Sequence, residues 1–443
     1  MKKPNNYAKI IFLFFLIQWI SCAKESFAPE NDWHLGKKLA DIPFTKISTE
    51  KGNDYYPQVY KIMIRQPIDH KDTSKGFFWQ KLYLAHKGFE RPMALITEGY
   101  SAPYHYISEI ANFTQANQLI VEHRYFGESK PDSILWSYLN LEQAAADLHH
   151  IKESFSKIYT KAWLSSGISK GGQTTVAYKY FYPQDVVVAI PYVAPLTFAR
   201  EDHRVPEFIA SKAGNEKSRK KIADLQLLLL QNKQKLLPEF EKLAESKGWT
   251  FNNVGGLESA FEHGVLELSF VIWQWGYDVD KMPDKIQPTD SLFSFLSYAD
   301  PFSFFSDDEA EKLKPYFYQA LTEIGIYTYE TKSLLPYLKF AQNPDFEFTL
   351  QNLIPIPYSN QSNLKINQWI KDNGNNFIYI YGNYDPWYAA GIEPDTLKTN
   401  SFSMILPGGS HRTRLHSFGK SAQNKVRDSL SIWLDVEIIS ENK

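Results

Sequence analysis

The stretch from Ala162 to Pro195 constrains this chain more than any other. An apolar run, AWLSSG, passes through Gly167, Ile168, Ser169, Lys170 and Gly171 into the helix formers of GGQTTVAYKYFYP, and the chain then returns to an apolar run, DVVVAIPYVAP. Strand, glycine-flanked turn, helix and strand in that order are the parts of a parallel crossover unit. The pattern extends upstream. MALITEGY (93–100) and QLIVEHRYFG (118–127) read as short buried strands joined by a helical segment at 108–116, and LEQAAADLHHIKESF (141–155) has helical spacing. Before them, QVYKIMIRQPI and FFWQKLYLAHK alternate apolar and polar residues and read as a hairpin, preceded by a polar leader over residues 25–52. Alternating strands and helices predict an α/β fold with a largely parallel sheet covered on both faces.

At 443 residues the chain exceeds what one core usually serves, so an insertion or a second domain is expected. It comes at about residue 200. KSRKKIADLQLLLLQNKQKLLPEFEKLAES and GLESAFEHGVLELSFVIWQWGY are helical and strand signals become scarce, until NFIYIYGNYDPW and SFSMILPGGSH restore the α/β pattern. The expected division is an α/β part at 33–199, a helical insertion at 200–358, and a second α/β part at 359–443 that completes the same sheet and ends in a helix.

Gly167 to Gly171 fits G-x-S-x-G in the context that gives the motif mechanical meaning, between a strand and a helix. A serine hydroxyl is a weak nucleophile and needs an imidazole to take its proton and a carboxylate to orient that imidazole. In this architecture the acid and the histidine follow the serine, each on the loop after a late strand. Asp385 in NYDPW is the leading acid, ahead of Glu393 and Asp395. His411 in LPGGSH is the leading base, ahead of His416 at the start of the last helix. The oxyanion formed during acyl transfer needs two donors, for which the backbone amides of Lys170 and of Tyr100, on the loop after MALITEGY, are the candidates.

Taken together, TEGYS, VEHRYFGESKP, YLNLEQAAADLHHI, GISKGGQT, YGNYDPW and PGGSH resemble the secreted serine tripeptidyl aminopeptidases first described from Streptomyces, more distantly related to prolylcarboxypeptidase and dipeptidyl peptidase II. The motifs run in that family's order from about residue 58 to 415. The resemblance implies an α/β-hydrolase fold with a helical cap inserted between sheet strands. It also implies an exopeptidase that releases short peptides, often after proline, from free N-termini, with Ser169 as nucleophile, Asp385 as acid and His411 as base. The chain departs from the family pattern at Ser410, where Asn is common, and at Arg412 to Arg414, where small residues are common.

An aminopeptidase needs a carboxylate for the substrate ammonium, for which the sequence offers Glu98 near the oxyanion loop and Glu201 and Asp202 at the entry to the insertion. Trp273, Trp275 and Trp387 are candidates for the flat walls of a proline pocket. His123, Arg124 and Glu128 are read instead as structural, a buried ion pair ordering the loop after a strand. His149 and His150 are adjacent on a helix and so cannot make the i, i+4 metal pair of a metalloprotease, and neither metal nor cofactor is expected. A net charge of −2 without long like-charge runs gives no nucleic-acid footprint, so no nucleic-acid partner is expected, and the resemblance implies peptide substrates.

The N-terminus carries its own signal. Lys2 and Lys3 precede an apolar run from Ile10 to Ile20 that is short for a membrane span, and the only cysteine, Cys22, follows it after Ser21. Residues 1–22 resemble a bacterial lipoprotein signal, predicting an exported cell-envelope protein whose sole membrane attachment is a lipid on Cys22. Intramolecular disulfides are excluded. Two other readings compete: an ester hydrolase on the same scaffold, since acyl transfer to serine serves both substrates, and a binding protein with a disabled site, which the presence of all three triad members disfavours.

Overall fold

The computed structural model describes residues 32–438 apart from 352 and 354–356, so the apolar run and Cys22 lie outside the described residues. Its strands are β1 Thr45–Glu50, β2 Gln58–Pro67, β3 Phe77–His86, β4 Met93–Thr97, β5 Asn117–Val121, β6 Trp163–Ile168, β7 Val188–Tyr192, β8 Glu201–Asp202, β9 Ile326–Tyr327, β10 Ile378–Gly382 and β11 Phe402–Leu406. The helices are α1 Asp32–Ala40, α2 Glu109–Thr114, α3 Leu141–Ser156, α4 Lys170–Phe181, α5 Arg204–Ser211, α6 Glu216–Gln231, α7 Lys233–Lys247, α8 Leu257–Trp275, α9 Thr289–Ala299, α10 Asp307–Gln319, α11 Gln361–Asn373 and α12 Lys420–Leu434.

Nine strands form one sheet in the order β1-β2-β3-β5-β4-β6-β7-β10-β11. The expected hairpin is β2 against β3, and β3 runs antiparallel to β5; from β5 onward every pairing is parallel. β4, β5, β7 and β10 are buried along their whole length, which explains why they read as continuous apolar runs. Successive residues serve opposite faces. Leu95 and Leu119 pack with Leu148 and Phe155 of α3 and with Leu35 and Leu39 of α1, while Ile96 and Ile120 pack with Ile110 of α2 and Val426 and Leu430 of α12.

The polar leader departs from expectation, since it holds α1 and β1. β1 is an edge strand with four exposed residues, so its sequence TKISTE carries no apolar stripe, and its register comes from backbone pairing with β2.

Between β7 and β10 lie α5 to α10 and the short parallel pair β8 and β9. Their apolar side chains form one core that continues down to Tyr379, Tyr381 and Trp387 at the sheet, so the helical insertion caps the strand ends. This is an α/β-hydrolase fold with a helical cap. Beneath the cap, Arg124 is fully buried and grips Asp147 of α3 through two bonds of 2.7 Å while donating to the carbonyls of Pro67, Ile68 and Tyr138. The expected ion pair is therefore there with different members. Glu128 is half exposed on Lys61 and Lys81, whereas Glu122 is the buried carboxylate, bound to Lys81 at 3.0 Å and to the amides of Ala102, Glu128 and Ser129. Satisfied charges of this kind fix the loops that follow β4 and β5.

Candidate active site

Ser169 sits between the end of β6 and the first residue of α4 with φ 57° and ψ −124°, a conformation that non-glycine residues seldom adopt. Close packing imposes it. A Cβ on Gly171 would fall 2.2 Å from the Thr97 carbonyl oxygen, and one on Gly167 would fall 2.4 Å from the Gly171 backbone, so only glycines let helix and strand approach on either side of the serine. The result is a half-buried hydroxyl at the helix start, lining a cavity of about 690 Å³ beneath the cap.

Asp385 and His411 come from the loops after β10 and β11, neighbours in the sheet. Both are buried, and His411 Nδ1 meets Asp385 Oδ2 at 2.6 Å. The other oxygen of Asp385 accepts the Trp387 amide at 3.1 Å, which fixes the carboxylate plane. His416 lies elsewhere, exposed and paired with Glu109. His411 is also tied to the cap, because its amide donates to the Gln274 carbonyl at the end of α8 at 2.8 Å and its ring meets Trp275 edge-on at 5.9 Å. The departures noted around this histidine have local work. Arg414 donates to the His411 carbonyl at 3.0 Å, and Arg412 lies 5.6 Å from the Trp275 ring at the cavity wall.

Tyr100 and Lys170 both line the cavity. Among the described residues neither backbone N–H donates to a protein acceptor, as two oxyanion donors require. Lys170 heads its helix, where amides have no intrahelical partner.

The proposed ammonium carboxylates do not reach this cavity. Glu98 takes the Tyr106 hydroxyl at 2.5 Å and faces a separate small pocket, its carboxyl pushed up chiefly by burial. Glu201 pairs with Arg200, and Asp202 is clasped by Arg204 at 2.6 Å and accepts the Phe198 amide. These are local ion pairs made by sequence neighbours. Trp275 and Trp387 line the cavity, but Trp273 lines another, enclosed by α5, α6 and α8. Two positions along a helix are rotated by about 200°, so Trp273 and Trp275 cannot share a wall.

Two carboxylates that the sequence reading overlooked line the cavity: Asp300, which accepts the Ser303 amide and hydroxyl, and Glu267. Glu267 of α8 is buried and receives the Tyr327 hydroxyl at 3.0 and 2.9 Å and the Tyr329 hydroxyl at 2.5 Å. Among the described residues it has no cationic partner, and burial pushes its carboxyl up to about 8. Phe270 stacks on Tyr327 at 3.8 Å and meets Trp387 edge-on at 5.6 Å, giving the cavity an aromatic wall beside Glu267. The available signal was a charged glutamate inside the largely apolar run GVLELSFVIW.

The PS-10 peptidase S37 family model matches residues 31–439. The prolyl tri/tetrapeptidyl aminopeptidase of Streptomyces mobaraensis is 29% identical over 418 residues, covering 92% of this chain and 86% of that protein. Among solved structures, proline iminopeptidase from Mycobacterium smegmatis aligns with a TM-score of 0.39 at 11% identity, over 84% of this chain and 97% of that one. A proline iminopeptidase-related protein of Thermus thermophilus aligns with a TM-score of 0.36 at 11% identity, over 84% of this chain and 98% of that one.

Proposed function

Because the chain belongs to the PS-10 peptidase S37 family, we propose that it is a serine exopeptidase that removes tri- or tetrapeptides, with proline at the cleaved bond, from free N-termini. The observation that carries this reading is a cavity holding both Ser169 and the cation-free carboxylate of Glu267.

In this reading His411 takes the Ser169 proton as Oγ attacks the scissile carbonyl, and Asp385 holds the imidazole tautomer and stabilises the imidazolium. The amides of Lys170 and Tyr100 receive the oxyanion. His411 then protonates the leaving amine, and water repeats the sequence on the acyl-enzyme. Glu267 receives the substrate ammonium. It lies seven residues before Gln274, the residue that bonds His411, which is about 10.5 Å along the helix. Three extended residues span about 10 Å, so this separation supports cleavage after a short N-terminal segment. Phe270, Tyr327 and Trp387 offer apolar faces suited to a proline ring.

Incubation of the protein lacking residues 1–22 with proline-containing peptides, free and N-acetylated, tests the reading. Short N-terminal fragments should appear by mass spectrometry from the free set only, and Ser169→Ala should lower turnover by about 10⁴-fold or more while remaining folded. Hydrolysis of simple esters with no peptide cleavage would favour the esterase alternative.

The basic start, apolar run and Cys22 support export and anchoring by a lipid on the Cys22 thiol. Labelled palmitate should enter the wild-type protein and not Cys22→Ser in a bacterial host; equal labelling would refute the anchor.

A further inference from the structure

Lys170, the residue that follows the serine of the G-x-S-x-G turn, has a side chain that the mechanism leaves unused. It is buried, and its Nζ donates to the Gly99 carbonyl at 2.8 Å. That carbonyl belongs to the same peptide unit as the Tyr100 N–H. In a planar trans peptide C=O and N–H point in opposite directions, so holding one aims the other. The next peptide is held as well, by the His123 amide on the Tyr100 carbonyl at 3.0 Å. Gly99 itself has φ +73°, and a Cβ there would fall 2.4 Å from the Gly171 nitrogen, so the loop rests on the first turn of α4.

We propose that the Lys170 side chain is a positioning residue of the oxyanion hole: through Nζ on the Gly99 carbonyl it turns the Tyr100 N–H toward Ser169, while its own amide supplies the other donor. A single residue thus sets both donors, one through its backbone and one through its side chain. The inference rests on the acyl-transfer reading above, although not on whether the acyl group is a peptide or an ester.

The setting makes the clamp sensitive to proton concentration. Burial brings the Lys170 ammonium down to about 7, only partly offset by the buried Glu323 on the turn after α10. The other groups facing it are His123, held well below its ordinary value by burial and by Lys170 itself, and the rings of Tyr100 and Phe126 at 5.7 and 5.3 Å, with Tyr316 against Tyr100. Among the described residues no carboxylate forms an ion pair with Nζ. Loss of its proton as pH rises weakens the bond to Gly99 without abolishing it, since a neutral amine still donates.

The test uses Lys170→Met, which removes the donor, and Lys170→Gln, which keeps a neutral one. Each is measured from pH 5 to 9 on a free proline-containing tripeptidyl anilide and on p-nitrophenyl butyrate, with folding followed by circular dichroism. Lys170→Met should lower kcat about 10- to 100-fold with KM within about twofold, the signature of lost transition-state stabilisation. Wild type should show an alkaline fall in kcat with its midpoint near 7, and Lys170→Gln should lose that fall. The ester carries no ammonium, so the same fall on it belongs to the enzyme. A folded Lys170→Met with kcat within twofold of wild type, or a Lys170→Gln that keeps the alkaline fall, overturns the proposal; should the Met variant not fold, the Gln profile decides. Wild-type turnover of the ester without the anilide would instead overturn the peptidase reading and leave the clamp to be judged on the ester.

Discussion

Glu262 and Glu267 stand five residues apart on α8, both buried, and they are held in opposite ways. Glu262 binds Lys233 at 2.5 Å and accepts the backbone amides of Lys339, Phe340 and Ala341 at 2.7 to 3.0 Å, and these partners hold its carboxyl below the ordinary range against the push of burial. Glu267 has two phenolic hydroxyls and, among the described residues, nothing positive, so burial prevails and its carboxyl rises. Burial alone therefore does not separate a structural carboxylate from a receptive one. Neutralising partners do: Glu262 has its counter-charge within the fold, whereas Glu267, in the reading proposed above, is left for the substrate ammonium.

The largest effect expected from this contrast is on stability. Glu262→Leu leaves Lys233 buried without its nearest counter-charge and strands three amides, and should cost about 3–5 kcal/mol in urea unfolding. Glu267→Gln keeps an acceptor for the tyrosines and relieves the cost of a buried acid at neutral pH, so it should not lower stability. A loss at Glu267 equal to that at Glu262 would erase the distinction. Next in size is selectivity. Glu267→Gln should reduce kcat/KM on free peptides by about 100-fold, roughly the 1.5–3 kcal/mol of a charged hydrogen bond, and narrow the preference for free over acetylated ends.

The two carboxylates should also give stability opposite dependences on pH. Glu262, depressed in the native state, contributes stability that is full above its unfolded value and is lost as pH falls through the native one. Glu267, raised to about 8, leaves the native state binding more protons than the unfolded chain between the ordinary glutamate value and about 8, so its contribution declines as pH rises through that window. Urea midpoints of Glu267→Gln should therefore fall less than wild type between pH 5 and 8, and parallel curves would contradict the assignment. The smallest signal is calorimetric. An ammonium binding Glu267 at pH 7 should displace up to one proton, seen as a buffer-dependent heat when a free-ended product peptide binds and missing in Glu267→Gln.

What the sequence revealed follows the range of the forces involved. Ser169, Asp385 and His411 could be proposed because strand ends and chain order single them out; the structure puts them on the loops after β6, β10 and β11 and brings Asp385 and His411 into contact. The fold was legible where strands are buried on both faces and illegible at β1, whose pairing rests on backbone groups that carry no side-chain signature. Choosing ammonium carboxylates by closeness along the chain failed for a physical reason. Glu201 and Asp202 lie next to Arg200 and Arg204, which claim them, and Glu98 turns to Tyr106 eight residues on. Glu267 meets Tyr327 and Tyr329 across some sixty positions, a separation that only the cap's packing closes.

The bond from the His411 amide to the Gln274 carbonyl makes the cap and the loop after β11 parts of one linkage. A cap that swung away with α8 would draw its grip from the imidazole and carry off Glu267 in the same stroke. Admission of substrate and readiness for chemistry are thus mechanically exclusive in any wide-open state. In the exopeptidase reading proposed above, a chain end therefore enters the cavity with the cap in place.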